Sequence, residues 1–225
     1  MTPPRRPSTR VTAVIVNFNT CELTRRAALS LHRFYPGLPL LLIDNGSGRD
    51  DAEALGELRH RSEPPVTVIF NARNAHHGPA MDQAIRHLES PYALLLDSDC
   101  EVIKGGFIEA MAELLDRRQE NYAAGHRIYM NRRGFDVLRS EGAFEYIRPY
   151  CMLIKRLLYL DLPPFRRHGA PCLDNMRSAV GRGHVLIDFP VDAYVHHTGR
   201  GTAGKFGYQL GFQGKINYLL NRAGL

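Results

Sequence analysis

Short, largely apolar runs recur through the first half of the chain, and each is followed by polar or turn-forming residues. Four such runs occupy residues 11–16, 40–43, 66–70 and 92–96. Runs of this length that are apolar on both faces are typical of strands in a parallel sheet that helices cover on both sides. We therefore expect them to be the first four strands of the chain.

Segments with apolar residues at helical spacing lie between these runs. The first contains Leu23, Ala27, Leu31 and Phe34, and Thr20 is its expected N-cap. The regular alternation of strands and helices predicts a doubly wound α/β sheet. Three further helices are predicted: one capped by Asp50 or Asp51 and running through Leu55 and Leu58, one from Pro79 to Leu88, and one opened by Gly105 and Gly106.

The second half is less regular, with strands expected around residues 122–129, 150–155 and 185–189. Its loops are rich in proline, glycine and arginine. The length of 225 residues suits one domain with a full core. We expect a disordered lead over residues 1–10 and a single domain over residues 11–225.

Charge and composition narrow the class of protein. The net charge of +6 and a pI near 9.3 favour an anionic partner, which could be nucleic acid, a membrane surface or a sugar nucleotide. No helix-turn-helix, zinc-finger or RNP signature is visible, so nucleic acid is not expected. No apolar run approaches the roughly 20 residues of a membrane span, and no secretory signal is visible. Four well-separated cysteines are typical of a reduced, cytoplasmic protein.

Polar clusters follow three of the predicted strands, at Asn17 to Thr20, Asp44 to Ser47 and Asp97 to Asp99. The carboxyl ends of parallel strands meet at one edge of a sheet, where open α/β folds bind ligands. Two carboxylates at a strand end supply the hard oxygen ligands that a divalent cation prefers. Each cluster alone is often just a turn, but the three in order are far more specific.

With the segments Val14 to Thr20, Leu42 to Ser47 and Leu95 to Asp99, the chain resembles the GT-A glycosyltransferases of family 2. The resemblance covers about the first half of the chain. It implies a GT-A fold, an open and mainly parallel twisted sheet flanked by helices. It also implies a nucleotide-sugar donor, a divalent metal (Mn²⁺ or Mg²⁺) and transfer of one sugar, with a UDP-sugar favoured over a GDP- or dTDP-sugar.

The resemblance also assigns roles to residues of the first half. Asp44 would hydrogen-bond the base, Asp97 would contact the ribose or a metal-bound water, and Asp99 would ligate the metal. Residues 11–100 would form the nucleotide-binding half and residues 101–225 the acceptor-binding half. The residues implied to contact the donor are Asn17, Phe18, Asn19, Thr20, Asp44, Asn45, Arg73, Asp97, Ser98 and Arg200, and those implied at the metal are Asp97, Asp99, His196 and His197.

The histidine pair and the loop after it lie in the second half. In the family, a histidine followed by a glycine-rich loop completes the metal or diphosphate site. Counting from Pro190 favours His196, whereas counting back from Thr202 favours His197. Arg200, in the glycine-rich run that follows, would screen the diphosphate. The alternative is an exposed basic loop.

The catalytic base is the point where the chain departs from the family. Inverting members carry a Glu-Asp pair before a helix, and the aspartate deprotonates the acceptor hydroxyl. Residues 170–177 contain no such pair, and Asp174 is their single carboxylate. We expect Asp174 to be the base of an inverting transfer, with an N-cap role as the alternative. Glu101 and Glu145 are the fallback candidates, and a retaining mechanism stays open.

Two other functions compete with this expectation. A nucleotide-sugar-binding scaffold would keep the donor site without its base. A phosphatase with a DxD nucleophile normally has that motif after its first strand, whereas here it follows the fourth. The acceptor is open between a small molecule, a glycan and a lipid-linked molecule. The basic and apolar segment over residues 205–222 would permit peripheral contact with a membrane, although packing as a final helix is its more common role.

Overall fold

Strands and helices alternate regularly through the first half of the chain and less regularly after it. The structure, a computed structural model, describes residues 10–61, 66–140, 142–166 and 169–198. In chain order the elements are β1 (Val11–Asn17), α1 (Cys21–Phe34), β2 (Leu40–Asp44), α2 (Arg49–Arg61), β3 (Val66–Phe70), α3 (His77–His87), β4 (Tyr92–Leu96), β5 (Cys100–Val102), α4 (Phe107–Asp116), β6 (Asn121–Met130), β7 (Asp136–Val137), β8 (Phe144–Lys155), α5 (Arg156–Leu160), α6 (Leu173–Gly181), β9 (Val185–Asp188), a 3₁₀ turn (Val191–Ala193) and β10 (Val195–His197).

The main sheet has eight strands in the order β3-β2-β1-β4-β8-β6-β7, with β9 also paired to β6. The first four strands are parallel to one another, and β9 runs parallel to β6. Strand β8 is antiparallel to both β4 and β6. Strands β5 and β10 form a separate antiparallel pair. The predicted fold class, a mainly parallel α/β sheet flanked by helices, is confirmed.

Helices cover both faces of the sheet because its central strands are apolar on both faces. Ile15 packs on one face with Leu31 of α1 and Phe107 of α4. Its neighbour Val14 points to the other face, among residues that include Met81 of α3. Alternate side chains of a strand point to opposite faces, so a single apolar run serves both cores.

The start of α1 is tied to α2, so that the unit β1–α1 is linked to the unit β2–α2. Thr20 occupies the N-cap position, as predicted, and its carbonyl accepts the N–H of Thr24 at 2.9 Å. Its hydroxyl makes no capping hydrogen bond. The N–H of Cys21, the first residue of the helix, instead donates to the carboxylate of Asp51 in α2, at 2.9 Å. The cap of α1 is thus a long-range contact, which fixes the two helices relative to each other.

Strand β8 carries a bulge beside the end of β4. Gly125 of β6 is opposite Met152, and Arg127 is opposite Ile147, so one residue of β6 spans four residues of β8. The bulge contains Pro149, which has no N–H to donate to a ladder. A side chain at Gly125 would lie 2.9 Å from the carbonyl oxygen of Cys151, so only glycine fits there. The bulge allows Tyr150 to present its carbonyl to the N–H of Asp97, at 2.8 Å.

Two predicted helix caps are wrong. Helix α2 begins at Arg49, so Asp50 and Asp51 lie inside its first turn, where their charge favours the helix dipole. Helix α6 begins at Leu173 with Cys172 as its N-cap, so Asp174 is not the cap.

Other elements are longer than predicted or were not predicted at all. Strand β8 begins at Phe144 and not near Tyr150, and α3 begins at His77 and not at Pro79. The hydrophobic pattern does not predict β5, β7, α5 or β10. Residues 1–9 of the predicted lead and the apolar segment over residues 205–222 lie outside the described residues. Among the described helices, none has the length and apolar character that crossing a bilayer requires.

Candidate functional site

A buried hydrogen-bond network forms the floor of the crevice at the carboxyl ends of β1 and β2. The side-chain amide of Asn17 donates to Asp44 at 3.0 Å and to Asp51 at 2.7 Å. The hydroxyl of Ser47 donates to the same Asp44 oxygen at 2.5 Å. Asn17 is fully buried and Asp44 is 2% exposed. Because buried polar groups are costly unless paired, this network holds the strand ends in one arrangement.

The loop after β1 belongs to the same network. The side-chain carbonyl of Asn17 accepts hydrogen bonds from the hydroxyls of Thr24, at 2.8 Å, and Thr20, at 3.3 Å. The Thr20 hydroxyl lies 3.4 Å from that of Ser98. Asn19 adopts a positive φ of 53° and accepts the N–H of Gly48 at 2.8 Å. The predicted donor-contact residues of the first loop therefore meet both the second loop and the DxD segment, while Phe18 lies half-buried beside them.

Asn45 holds the third loop, which connects β3 to α3. Its amide donates to the side chain of Asn74 at 2.9 Å and to the carbonyl of His76 at 3.2 Å, and its side-chain oxygen accepts the N–H of Ala75 at 3.1 Å. Arg73 lies in this loop with an exposed side chain. Asn45 is 2% exposed. The structure thus gives Asn45 a bracing role, and the predicted contacts of Asp44, Asn45 and Arg73 with a nucleotide stay predictions.

A histidine that the sequence did not single out meets the first DxD carboxylate. His77, the first residue of α3, has its Nε2 3.3 Å from Oδ1 of Asp97. Partial burial opposes protonation of His77, but the hydrogen bond to Asp97 and the charges of Asp97 and Asp99 outweigh it and raise its pKa. The third strand is followed by a histidine pair, His76 and His77, and this pair was the signal available in the sequence.

The second DxD carboxylate meets His197. Its Nε2 lies 3.2 Å from Oδ1 of Asp99, and this hydrogen bond raises the pKa of His197. The imidazole is stacked on the ring of Tyr150, with centroids 4.7 Å apart. Strand β10 pairs with β5 so that His197 is opposite Cys100 and His196 opposite Glu101. Adjacent residues of a strand point to opposite faces, and the structure therefore brings His197, and not His196, to Asp99.

The donor set at this point fits a divalent cation. One ligand atom each from Asp99, Cys100 and His197 lies within 4.8 Å of the others. The Cys100 thiol is buried, donates to the carbonyl of Tyr150 at 3.3 Å, and has its pKa raised by burial. Cys100 therefore stays a neutral thiol with a structural partner. A carboxylate oxygen and an imidazole nitrogen remain, and both suit Mn²⁺, while carboxylate oxygens also suit Mg²⁺.

A polar cavity of about 500 Å³ adjoins His197. The hydroxyl of Tyr150 donates to Asp192 at 2.7 Å, and His126 lies 3.6 Å from the other oxygen of that carboxylate. The cavity lies between the bulge of β8 and the 3₁₀ turn. Its lining residues are His126, Arg148, Tyr150, Asp192, Val195, His196 and His197.

The candidate bases occupy three different environments. Asp174 is half-buried in the first turn of α6. The charge of Asp97 reaches Cys172 at the cap of this helix, where burial and that charge raise the thiol pKa. Glu145 is ion-paired with Arg127 at 3.3 Å, and Glu101 is exposed on β5. Arg200, predicted to screen the diphosphate, lies outside the described residues.

The sheet order and the polar edge around Asp97 and Asp99 define a GT-A type of α/β fold, and comparison with known proteins agrees. The sequence profile of glycosyl transferase family 2 matches residues 12–174. The chain belongs to this family. A search of curated protein sequences finds no significant match.

Several solved structures share the fold at low sequence identity. The mannosyltransferase PcManGT from Pyrobaculum calidifontis, in complex with GDP-Man and Mn²⁺, has a TM-score of 0.63 at 15% identity, over 83% of this chain and 56% of that one. GalNAc-T7 with UDP, GalNAc and Mn²⁺ has a TM-score of 0.69 at 15% identity, over 86% and 44%. TarS from S. aureus (residues 1–349) with UDP-GlcNAc has a TM-score of 0.59 at 15% identity, over 83% and 58%. The chain spans about half the length of these proteins, and the likeness shows the GT-A glycosyltransferase fold.

Proposed function

We propose that the protein is a metal-dependent glycosyltransferase that transfers a sugar from a nucleotide-sugar donor to an acceptor hydroxyl. The observation that carries this proposal is the crevice where three strand ends and β10 bring together Asn17, Asp44, Asp97, Asp99 and His197. Membership of glycosyl transferase family 2 supports the reaction class. Complexes of fold neighbours contain GDP-Man, UDP and UDP-GlcNAc, and these are consistent with a nucleoside diphosphate donor here.

The donor lies, in this proposal, along the carboxyl edge of β1, β2 and β4. The floor centred on Asn17 and Asp44 supports the base and ribose, and the loop of Arg73 borders them. Residues 11–100 form the nucleotide-binding half and residues 101–225 the acceptor-binding half. A UDP-sugar is our first choice of donor, with a GDP- or dTDP-sugar second.

Asp99 and His197 are the residues that would hold Mn²⁺ or Mg²⁺. When bound, the metal neutralises charge that develops on the diphosphate leaving group. Stacking on Tyr150 orients the His197 ring, and Asp99 is shielded on most of its surface, with 10% of its side chain exposed. Both side chains are therefore pre-organised, which lowers the entropy cost of binding an ion.

Asp174 is our candidate for the base that takes the acceptor proton, with inversion of the anomeric carbon. It is the single carboxylate of residues 170–177, the segment in which inverting family members carry the base, and it lies half-buried in the first turn of α6. Glu145 is a weaker candidate because it is paired with Arg127. The acceptor is a small molecule, a glycan or a lipid-linked molecule, in the cytoplasm or at the surface of a membrane.

The experiment is calorimetric titration of UDP, GDP, dTDP and CDP into the protein, with and without Mn²⁺. We expect one nucleotide to bind in a metal-dependent way, and Asp99→Ala to abolish that binding. Asp161→Ala, at the exposed C-terminal end of α5, is the matched control. A parent protein that binds none of the four nucleotides with Mn²⁺ contradicts the proposal.

Turnover separates an enzyme from a scaffold. Nucleotide release from UDP-, GDP- and dTDP-sugars would be followed over a panel of sugar and polyol acceptors. Metal-dependent binding without release from any donor favours the nucleotide-sugar-binding scaffold, which the missing Glu-Asp pair keeps open. If the parent turns over, Asp174→Asn decides the base: unchanged turnover removes Asp174 from the mechanism.

A further inference from the structure

His77 is a histidine at the rim of the crevice to which the sequence assigned no role. Its Nε2 lies 3.3 Å from Oδ1 of Asp97, and the two side chains are 34% and 26% exposed. The contact therefore forms at the crevice surface, where a bound donor would meet it, and not in the core. A histidine that holds one oxygen of a carboxylate leaves the other oxygen for a second partner.

The connection between β3 and α3 is built so that His77 reaches Asp97. The preceding residue, His76, adopts φ 70° and ψ 166°, a backbone region that residues with a Cβ rarely occupy. Two hydrogen bonds hold this conformation. Asn45, from the loop after β2, donates to the carbonyl of His76, and Asn74 accepts the N–H of His76 at 2.7 Å. Strain of this kind persists only where the surroundings impose it.

Asp97 and Asp99 meet different partners. Among the described residues, the group of ligand atoms within 4.8 Å of one another contains Asp99 and His197 but not Asp97. Asp97 instead faces His77, and its N–H is tied to the carbonyl of Tyr150 at 2.8 Å. The two acids of the DxD segment therefore have separate surroundings, one on the side of β10 and one on the side of α3.

We propose that His77 is a positioning residue for Asp97. It holds Oδ1 of Asp97, so that the other carboxylate oxygen accepts a hydrogen bond from a ribose hydroxyl of the nucleotide donor, while Asp99 and His197 serve the metal. This inference rests on the proposed function, since it needs a nucleotide in the crevice. Its new element is the role of His77, which gives α3 a part in the donor site.

The test compares three variants in calorimetry with the nucleoside diphosphate that binds the parent most tightly among UDP, GDP, dTDP and CDP, in Mn²⁺. His77→Phe keeps the ring volume and removes the N–H, whereas His77→Gln keeps an N–H donor. His87→Phe makes the same change at the exposed far end of α3 and is the matched control. We expect nucleotide affinity to fall about tenfold in His77→Phe, the order expected for one lost hydrogen bond to a charged group, and to stay within about threefold of the parent in His77→Gln.

Two readouts separate positioning from a merely structural role. Mn²⁺ affinity without nucleotide, measured by electron paramagnetic resonance, should be the same in the parent and in His77→Phe. In an Asp97→Ala background, His77→Phe should cause no further loss of nucleotide affinity, because its partner is already gone. If His77→Phe does not fold, His77→Asn, whose shorter side chain does not reach Asp97, takes its place.

The failures are distinguishable. A parent that binds no nucleotide with Mn²⁺ removes the proposed function and this inference with it. A parent that binds, together with a His77→Phe variant of equal affinity, overturns the role of His77 alone. If His77→Phe lowered nucleotide affinity equally in the parent and in the Asp97→Ala background, the role would be overturned as well, because His77 would then act through another residue.

Discussion

The two edges of the sheet treat their carboxylates differently. At the amino edge, Asp116 accepts two hydrogen bonds from the guanidinium of Arg10, at 2.9 and 3.0 Å, and a third from Tyr92 at 2.5 Å. At the carboxyl edge, Asp97 and Asp99 meet imidazoles at 3.3 and 3.2 Å. The amino edge has a bidentate, permanently charged partner, and the carboxyl edge has longer contacts to groups that change charge near neutral pH.

This difference indicates which carboxylates are structural and which can respond to a ligand. A carboxylate saturated by arginine and tyrosine has little to gain from another cation. A carboxylate beside a histidine can share a metal with it, because imidazole is itself a metal ligand. The carboxyl edge can keep carboxylates that have room for a further ligand because Asn17, in the floor below them, is buried and hydrogen-bonded through both its amide nitrogen and its side-chain oxygen.

The largest expected effect is on that floor. Asn17→Ala removes hydrogen bonds to Asp44, Asp51 and Thr24 at a fully buried position. We expect the free energy of unfolding to fall by about 3 kcal/mol, since several buried polar groups lose a partner. Urea unfolding without metal or nucleotide measures this.

The control for the floor is Asn131→Ala. Asn131 accepts two backbone N–H groups in the turn between β6 and β7, a half-buried position. We expect a loss of about 1 kcal/mol there, in line with exposed turn hydrogen bonds. Equal losses for Asn17 and Asn131 would show that the floor contributes no more to stability than an ordinary turn.

The next effect concerns His196 and His197 in β10. His197→Ala should weaken metal-dependent nucleotide binding by about a hundredfold, because it would remove a proposed direct ligand, and the loss of even an outer-shell residue costs about 10–100-fold. His196→Ala changes the neighbouring residue, whose side chain points to the other face of β10, and should leave affinity within about twofold of the parent. Calorimetry in Mn²⁺ compares the two. A larger loss in His196→Ala would reverse the assignment that the strand register supports.

The sequence was sufficient to predict the first half of the fold because its strands and helices alternate and each element shows its own hydrophobic pattern. Strands β1 to β4 are double-sided apolar runs separated by helices, and the polar clusters at Asn17, Asp44 and Asp97 follow directly from strand ends. Parallel strands joined by helices bring those ends to one edge whatever the details of the loops. In the second half this alternation breaks down and strand directions are mixed, as where β8 lies antiparallel between β4 and β6, and periodicity carries no information about that order.

Two features of the site show the same limit. The choice between His196 and His197 depends on the register of β10 against β5, two three-residue strands almost a hundred positions apart in the chain. The contact of His77 with Asp97 depends on the conformation of the loop before α3, which Asn45 imposes from the preceding βα unit. In both cases the sequence shows a pair of adjacent histidines but does not decide which of the two makes the contact.

A third effect tests how firmly the loops of the carboxyl edge are packed against each other. Gly46 has a φ of 78°, and a Cβ at this position would overlap the backbone of Arg73 and Asn74. Gly46→Ala should therefore lower the free energy of unfolding by about 2 kcal/mol, from the strained backbone and from displacement of the third loop.

Gly106→Ala is the matched control for Gly46. Gly106 also has a positive φ, of 93°, but a Cβ there meets no described atom within 4 Å. It isolates the backbone cost, which is about 1 kcal/mol. Thermal unfolding of both variants measures the difference, and equal shifts would show that the second and third loops are not in contact in solution.

The smallest effect is expected at the amino edge, although its pairing is the tighter one, because both partners are substantially exposed. The hydrogen bonds from Arg10, followed by that from Tyr92, lower the pKa of Asp116 although partial burial opposes this. A lowered folded-state pKa means that the pair stabilises the protein above the unfolded pKa of Asp, about 3.9, and that this stabilisation is lost as the pH falls through the folded value. Asp116→Asn should lower the free energy of unfolding by about 1 kcal/mol at pH 7, after allowance for solvent screening.

The cost of Asp116→Asn should shrink toward zero as the pH falls from about 4 through the lowered pKa of folded Asp116, since the carboxylate of the folded parent is then protonated as well. Urea unfolding at a series of pH values from 7 downwards measures this. Glu113→Gln, which removes an exposed pair with Arg117 one helical turn away, is the control and should cost no more than about 0.5 kcal/mol. Nucleotide affinity should not change in either variant. A loss of metal-dependent nucleotide binding in Asp116→Asn would mean that the two edges of the sheet are coupled and that the separation of structural from responsive carboxylates does not hold.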